Sequence, residues 1–534
     1  MINRSGCAVL VAPLVMCVMW ADGQQVQPSA VPPASAPSSD TSNQATFKLQ
    51  VNTQVVVLDV VVNDRKGEPV SNLSRDDFKV YEDKVPQTIL SFEQSPSTGL
   101  HDIAINSTAD LDRLEPNAPV SIIVLNEVST LFQDQAFARY SLSRYLGSQG
   151  DKLAQPTMLV ATNLQNMMVL RDYTTSKNEI VEALKHHFAT YNWQAESGGW
   201  VAEQFGASFS SLMAVAEATA GHPGHKNMIW IGRGFPALRW DTLPAATVQQ
   251  MNTLIATCTN LLRNARVTLY SVDPAGLAPS PITDGDGFAT VDPVGGQVDF
   301  DTMAKTTGGQ AFHGRNDVDN LIGTSVRDGE AFYTLSYRPA SDEGKPKTFR
   351  NIKIVMSNPN LKATTREGYF TQSTEPPPGL DADGKLSKRL VFDLTTAGAS
   401  LLIYDGLPFS VTRDTADPDR FLLALKADKL TWHRNSDSKD ETEAQVLVQS
   451  FDKRGKLLNR QAESLTIKIP FRSAYGPDTR IVKLNVSIPT RPPAARVRIV
   501  LRADENGKVG ATNVFLVNPK TLSDPATGLT NRQK

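Results

Sequence analysis

Hydrophobic and polar positions alternate with a period of two near the start of the chain. Residues 51–62 read VNTQVVVLDVVV, a run rich in β-branched residues. Such a run is typical of a β-strand, because β-branched side chains fit a pleated surface. Residues 64–67 (DRKG) then supply a turn, and Pro86 marks an edge strand or a further turn. We therefore predict an N-terminal β unit over residues 46–95.

From residue 117 the pattern changes to short apolar runs separated by longer segments with helical spacing. The runs predict strands at 120–125, 157–162, 227–232 and 266–272, and the segments between them predict helices at 133–147, 176–190, 206–220 and 247–264. Two further helices, 299–307 and 316–327, and two further strands, 331–338 and 349–356, extend the pattern. Strands that alternate with helices form a parallel sheet covered by helices on both faces. The sequence predicts a doubly wound, mostly parallel α/β domain over residues 117–370.

Alternation with a period of two returns in the last part of the chain. Residues 444–450 and 464–469 alternate on either side of a turn at 452–455. We predict a C-terminal β-sandwich over residues 385–520. The Pro-rich composition before it predicts a linker at 371–384.

The first 45 residues differ in composition from these units. Residues 1–23 contain Arg4 followed by an apolar run from Cys7 to Trp20, which is typical of a secretory signal peptide. The run is short for a membrane span, which needs about 20 apolar residues, although an uncleaved anchor is the alternative. Residues 24–45, rich in Pro, Ser, Ala and Gln, predict a disordered spacer. We expect export to the periplasm, the cell surface or the medium, with no transmembrane span after cleavage.

Charge and motifs narrow the functional classes. The 534 residues carry a formal net charge of −2 without a basic tract, which argues against nucleic acid as a partner. Cleavage of the signal would leave Cys258, whose apolar neighbours at helical spacing predict a buried structural thiol. The sequence contains no GxSxG, HExxH or P-loop motif, and we predict a protein that is not an enzyme.

Four loops that follow predicted strands, at residues 126–130, 163–166, 232–235 and 273–276, are candidate binding loops, and two of them carry the candidate site. Ligands of doubly wound sheets bind in the loops at the carboxyl ends of the strands. The strand at 121–125 runs directly into Asn126-Glu127-Val128-Ser129-Thr130, and the strand near residue 229 runs into Gly232-Arg233-Gly234. We identify Asn126, Ser129, Thr130 and Arg233 as the candidate ligand-binding residues.

Several segments, taken in order, resemble a known family. They are VVVLDVVVNDRKGEPVSNLSRDDFKVYEDKVPQTILSFEQ (55–94), KNMIWIGRGFP (226–236), ARVTLYSVDPAGL (265–277), AKTTGGQAF (304–312), AFYTLSYRP (331–339) and TTREGYF (364–370). Together they resemble proteins of Acidobacteria related to the von Willebrand factor A (vWA) domain, over about residues 50–370. The resemblance implies a vWA-like α/β fold, export and no assigned catalytic activity.

The resemblance also implies where a metal site would lie. A vWA domain binds Mg²⁺ through a DxSxS motif after its first strand, with a Thr from a second loop and an Asp from a third, because Mg²⁺ prefers hard oxygen ligands. Here Asn126 replaces the Asp, Val128 replaces the first Ser, and the loop at 232–234 has no Asp. This is a degenerate metal-ion-dependent adhesion site, for which Asn126, Ser129 and Thr130 are weak Mg²⁺ candidates. We expect no cofactor, and a metal-free loop in which Asn126 caps local backbone amides.

Other residues qualify this picture. Without a metal, Arg233 would accept a carboxylate of a partner, although an ordinary surface arginine is the alternative. Ser208, Ser210 and Ser211 are candidates for the second metal-site loop. The spacing of His222 and His225 suits a metal pair, but it spans a Pro-Gly turn without further Cys or His nearby, and we predict a solvated turn.

The sequence therefore predicts an exported, non-enzymatic binding or adhesion module. It would recognise a protein or a surface polymer at the carboxyl end of a vWA-like sheet. Two alternatives stay open. One is a structural scaffold of an envelope or secreted assembly with a vestigial crevice; the other is a hydrolase whose catalytic residues are dispersed along the chain.

Overall fold

A computed structural model describes residues 55–95, 103–128, 130–163, 167–189, 198–234, 244–276, 300–339, 349–370, 387–434, 439–471 and 478–517. These residues belong to one compact unit that begins at Thr53. The predicted signal peptide, the spacer, the linker at 371–384 and Ser129 lie outside the described residues.

Four strands open the described chain where the sequence alternates. They are β1 (Val56–Asn63), β2 (Phe78–Glu82), β3 (Val85–Gln87) and β4 (Ile89–Gln94). Leu58, Val60 and Val62 of β1 are fully buried, as the period of two requires for one face of a sheet. β2 and β3 form a hairpin.

An α/β unit follows. Its described helices are α1 (Thr108–Leu114), α2 (Phe132–Ser148), α3 (Lys177–His186), α4 (Gly198–Ala218), α5 (Ala245–Asn264), α6 (Phe300–Thr307) and α7 (Val318–Glu330). Its described strands are β5 (Val120–Asn126), β6 (Lys152–Thr162), β7 (Met167–Ser176), β8 (Lys226–Ile231), β9 (Val267–Val272) and β10 (Ala311–Phe312). They form a sheet in the order β10-β9-β8-β5-β6-β7. The predicted mixed α/β architecture with a mostly parallel sheet is confirmed.

The sheet is wound in two directions from β5. The chain first adds β6 and an antiparallel edge strand, β7, on one side, and then returns to add β8, β9 and β10 on the other side. Residues of β5 alternate between two cores: Val124 packs in the core that includes α4 and α5, and Ile123 packs in the core that includes α2, α3 and α7. Helices therefore cover both faces, which explains why β5, β8 and β9 are buried at every position.

Four strands after α7 return to the beginning of the described chain. They are β11 (Tyr333–Tyr337), β12 (Phe349–Met356), β13 (Lys362–Thr364) and β14 (Gly368–Phe370). They form two antiparallel sheets with the first four strands, in the orders β13-β1-β11-β4 and β14-β12-β2-β3, and the sheets share one core. The prediction that residues 331–338 and 349–356 extend the parallel sheet is wrong. The alternation of apolar and polar residues shows that these segments are strands. It does not identify a pairing partner that lies about 275 residues earlier in the chain.

The C-terminal part is mostly antiparallel β structure, as predicted. It contains α8 (Lys388–Ala399) and the strands β15 (Tyr404–Asp405), β16 (Ser410–Arg413), β17 (Arg420–Lys426), β18 (His433–Arg434), β19 (Lys439–Phe451), β20 (Leu457–Pro470), β21 (Ile481–Ser487), β22 (Arg496–Ala503) and β23 (Val509–Phe515). One sheet has the order β15-β23-β22-β19-β18, with β20 also paired to β19, and the other has the order β16-β17-β21. Residues of both sheets share a core.

The unpredicted helix α8 joins the C-terminal sheets to the α/β unit. Leu390, Leu394 and Ala397 are buried in the core that also contains residues of α4, α5 and the parallel sheet. Among the described helices, none has the length and apolarity needed to cross a bilayer.

Candidate functional site

The candidate site lies where the winding of the parallel sheet reverses. β5 and β8 are neighbours in space although β6 and β7 separate them in sequence, so the loops after β5 and β8 meet at this edge of the sheet. We call the place where these loops meet the crevice. This topological switch point is where doubly wound sheets bind ligands. Asn126 ends β5, and Gly232 to Gly234 follow β8.

Asn126 connects the neighbouring loops through its side-chain amide. Its Nδ2 donates to the carbonyl oxygen of Gly234 at 3.0 Å, and its Oδ1 accepts from the backbone N–H of Val128 at 3.0 Å. The side chain is buried, and Thr162 also donates to its Oδ1 at 3.4 Å. The predicted contact between Asn126 and a local backbone amide is confirmed at Val128. An aspartate could not donate to Gly234, so the loop as folded suits the amide.

Thr130 and the glycines close the crevice from the other side. The Oγ1 of Thr130 accepts from the backbone N–H of Arg233 at 3.4 Å. A Cβ at Gly232 would lie 2.5 Å from the Cβ of Asn126, so only glycine permits this approach of the two loops. Ser208 of α4 donates to the carbonyl of Gly234 at 3.3 Å. Of the three serines considered for the second loop, Ser208 therefore reaches the crevice.

Arg233 already has a carboxylate partner within the chain. Its Nη2 lies 3.1 Å from the Oδ2 of Asp134 on α2, and both side chains are largely buried. Burial raises the pKa of Asp134, Arg233 opposes the shift, and Asp273 adds to it. The Nε of Arg233 is buried without a hydrogen-bond partner among the described residues. Arg233 is thus an internally paired cation rather than a free one.

Three charged residues that were not among the four candidate residues lie next to this pair. Asp273 follows β9, and His313 follows β10, so both lie at the carboxyl end of the sheet. The Nε2 of His313 is 2.7 Å from the carboxylate of Asp301, and its Nδ1 is 3.6 Å from that of Asp273. Asp273 and Asp301 raise the pKa of His313 to about 10. Asp273 begins the strand-end loop 273–276, which the sequence predicted as a binding loop, whereas no sequence pattern marked Asp301 or His313.

A buried Glu–His pair connects the loop after β5 to the end of α3. The Oε1 of Glu127 lies 2.5 Å from the Nε2 of His187, and both side chains are almost fully buried. His187 directly follows α3, and Arg139 of α2 donates to its carbonyl oxygen at 2.8 Å. These contacts hold the end of α3 beside the loop after β5.

Large apolar side chains are exposed on the same rim. Leu131 and Phe132, at the start of α2, are 48% and 62% exposed, and Phe188, which follows His187, is 87% exposed. Leu131 directly follows Thr130, and Phe188 directly follows His187, so these side chains flank the loops described above. We call these three residues the apolar rim.

The residues present do not fit a magnesium ion. The Oδ1 of Asn126 is already used by the N–H of Val128, and no carboxylate follows β8 at residues 232–234. Across the described ranges, no group of three or more His, Cys, Asp or Glu side chains is arranged to hold a metal. Ser129 lies outside those ranges.

The predicted solvated turn at His222 and His225 is wrong. Both histidines are buried and they bind different partners: the Nε2 of His222 donates to the carbonyl of Ala118 at 2.7 Å, and the Nδ1 of His225 lies 3.0 Å from the Oδ2 of Asp59. β1 and the loop before β5 cover the turn, which its Pro-Gly composition did not reveal. Cys258 is fully buried, as predicted.

Comparison with known proteins adds little. No family model matches the chain, and no curated protein matches it. Two solved structures of β-glucuronidases from Bacteroides uniformis, one of them covalently bound to a cyclophellitol-6-carboxylate aziridine, align at 12% and 11% identity with a TM-score of 0.12. Each alignment covers 34% of this chain and 18% of the other, so the chain spans less than a fifth of these proteins. A likeness this weak supports no conclusion about fold or activity.

Proposed function

We propose that the chain is an exported, non-enzymatic binding protein that recognises a protein or a surface polymer at the carboxyl end of a vWA-like sheet, without a metal ion. The reversal of winding at β5 and the single antiparallel edge strand support a vWA-like assignment of the α/β unit. Export rests on the signal-like sequence of residues 1–23.

The apolar rim carries the proposal. Single exposed apolar residues are common on protein surfaces and need no explanation. Here three large apolar side chains are exposed beside a topological switch point, where doubly wound sheets bind ligands. Aromatic side chains at such a place can anchor a partner, and burying one contributes about 1–3 kcal/mol. The partner we propose therefore presents an apolar surface to Leu131, Phe132 and Phe188.

Polar residues beneath the rim would orient that partner. A carboxylate of the partner would compete with Asp134 for Arg233, since the two side chains are already paired. The crevice thus offers an exchangeable ion pair where a vWA domain offers an open metal position. Asn126 and Thr130 would fix the loop geometry rather than supply the affinity, because their polar atoms are used inside the chain.

The test is capture of a partner by the immobilised full chain in a chelator, followed by titration of the purified partner. We expect Phe188→Asp to weaken the affinity about tenfold or more, which corresponds to about 1.4 kcal/mol, because it places a charge in the contact. Ile481→Asp changes another exposed apolar residue, on β21, and should leave the affinity unchanged. Capture that requires Mg²⁺ would instead restore metal-dependent adhesion.

A structural scaffold is the second candidate, because one observation favours it. Asn126, Thr130 and Arg233 all have partners within the chain, so the crevice is complete without a ligand. A scaffold predicts that neither Phe188→Asp nor Arg233→Glu changes association with its neighbours. A loss of association in either variant argues for recognition at the crevice.

A further inference from the structure

A second surface with the character of a binding site lies on β2 and β12, outside the parallel sheet that carries the crevice. An open groove of about 630 Å³ runs over β2 and β12 and is lined by Tyr81, Asp83, Lys84, Asn351, Lys353 and Val355. Its volume lies within the range of about 300–1,000 Å³ that is usual for ligand sites.

The alternation of both strands builds this groove. Phe78, Val80 and Ile352 point into the core between the two sheets, so Lys79 and Tyr81 of β2 and Lys353 and Val355 of β12 point outward. Tyr81 is directly opposite Lys353, and Lys79 is directly opposite Val355. Directly opposed side chains lie about 4.5–5.5 Å apart at their Cβ atoms. The outer face is therefore a compact patch of one aromatic ring, one valine and two lysines.

The groove carries an uncompensated positive charge. Lys79, Lys84 and Lys353 are exposed, and within the described residues none of them forms an ion pair. The one acid in the lining, Asp83, is already engaged: it pairs with Arg350 at 2.8 Å and accepts from the N–H of Asn351 at 2.9 Å. A ligand for this face must therefore bring negative charge.

The edge of the sheet is closed to an added strand. β3 is the edge strand of the order β14-β12-β2-β3, and its central residue is Pro86, opposite Tyr81. Asp83 and Lys84 form a two-residue turn with positive φ, so Glu82 and Val85 are the hydrogen-bonded pair and residue 86 would direct its N–H outward. Proline has no N–H, and strand addition fails at that point. The face of the sheet, rather than the edge formed by β3, is therefore the surface open to a ligand.

We propose that this face binds a linear anionic glycan, a sugar polymer that carries carboxylate or sulfate groups. A sugar ring can stack on Tyr81 and keep its hydroxyls in solvent in an open groove, while its charged substituents reach Lys79, Lys84 and Lys353. A peptide laid flat on the same face would bury backbone N–H and C=O groups, each of which needs a partner. The lysine ammonium groups of the lining could donate to the C=O groups, but acceptors for the N–H groups are few, chiefly the amide oxygen of Asn351 and the hydroxyl of Tyr81.

The proposal is tested by calorimetric titration of the full chain with four probes: alginate oligosaccharides, dextran sulfate, neutral dextran and poly-L-glutamate. We expect an anionic glycan to bind and neutral dextran not to bind. The first two probes decide between carboxylate and sulfate as the recognised group. Added salt should weaken binding, because exposed charges are screened. Absence of binding to both anionic glycans, or tighter binding of poly-L-glutamate than of either, would overturn the proposal.

Matched variants locate the site. Lys353→Glu should weaken glycan affinity about tenfold, because reversing one charge replaces an attraction by a repulsion of similar size. Lys483→Glu alters an exposed strand lysine on β21 and should have no effect. Tyr81→Ala should weaken binding about fivefold or more through loss of stacking, and Tyr81→Phe should retain it, because the ring is kept. Unchanged affinity in Lys353→Glu or in Tyr81→Ala would place the ligand elsewhere.

The glycan experiment can fail or succeed independently of the test of the proposed function. Phe188→Asp alters the crevice rim and leaves β2 and β12 untouched, so glycan affinity should not change in that variant. A protein partner lost in Phe188→Asp and a glycan lost in Lys353→Glu would establish two independent surfaces.

Discussion

At Asn126 the difference between an amide and a carboxylate decides which contacts the loop after β5 can make. The amide donates to Gly234 and accepts from Val128, so one side chain satisfies groups on two loops. A carboxylate accepts only, and a divalent ion would have to separate it from the Gly234 carbonyl. The replacement of Asp could be seen in the sequence, whereas the hydrogen bond to Gly234 depends on a residue 108 positions away.

Asn126→Asp should therefore destabilise the protein instead of restoring a metal site. We expect the free energy of unfolding to fall by about 1–3 kcal/mol, the usual cost of a buried polar group that loses its partner. Urea unfolding with and without Mg²⁺ measures this. Recovery of the loss by millimolar Mg²⁺ would show that the loop retains a latent metal site.

His313 should contribute a pH-dependent stability. Asp273 and Asp301 raise its pKa to about 10, above the value of about 6.5 for an unperturbed histidine. The stabilisation is thus fully present below about pH 6.5 and is lost as the pH rises towards 10. The side chain is 46% exposed, so the gain is at most about 1 kcal/mol.

The measurement compares melting temperatures of the wild type and His313→Asn from about pH 6 to pH 10. We expect the largest difference at the acidic end and a difference near zero at the alkaline end. Asp301→Asn should lose the same component, because it removes one partner of the pair. A difference that stays constant over this range would contradict the assigned role of His313.

At the scale of elements, β1 and the turn before β8 are held together by one carboxylate. The Oδ2 of Asp59 accepts from the Nε of Arg266 at 3.1 Å and lies 3.0 Å from the Nδ1 of His225, and its Oδ1 accepts from Thr334 at 2.9 Å. Burial alone would raise the pKa of Asp59, but His225 and Arg266 lower it well below its usual range. Alternation predicted β1 as a strand, yet neither its neighbour β11 nor the charges it buries could be read from that pattern.

Asp59→Asn should weaken this connection strongly. It leaves Arg266 without its carboxylate partner, and we expect a loss of about 3 kcal/mol or more in the free energy of unfolding. Glu93→Gln, on the exposed side of β4, should change stability by less than about 0.5 kcal/mol. Chemical denaturation of both variants gives the comparison. Equal stabilities of the two variants would mean that the cluster does not join the sheets.

At the scale of the whole molecule, the α/β unit and the C-terminal part share a hydrophobic core and are not packed as separate domains. One core contains residues of α4, α5, α8 and the strands β19, β22 and β23. A chain of ion pairs accompanies it: Arg389 pairs with Glu217 of α4 and with Asp393, which pairs with Arg502 at 2.8 Å. The Pro-rich segment 371–384 suggested separation, but composition could not show that α8 packs on α4.

Because this core is shared, the C-terminal sheets and the α/β unit should unfold together. We expect one calorimetric transition whose enthalpy equals the van't Hoff enthalpy. Two resolved transitions would show that the C-terminal part unfolds independently. Leu394→Asp, which charges the shared core, should lower the temperature of the single transition rather than split it.

The pairing of β1 with β11 also bears on how the protein is made. Ribosomal synthesis proceeds from the N-terminus, so β1 leaves the ribosome long before its neighbour exists. Thr334 lies 275 residues after Asp59, and synthesis at about 5–20 residues per second needs roughly 14–55 s to cover that distance. During that time the sequence VVLDVVVN has no partner strand, and a valine-rich segment of this kind is prone to intermolecular association. We expect newly made chains to depend on a holding chaperone until β11 emerges, whatever the stability of the finished fold.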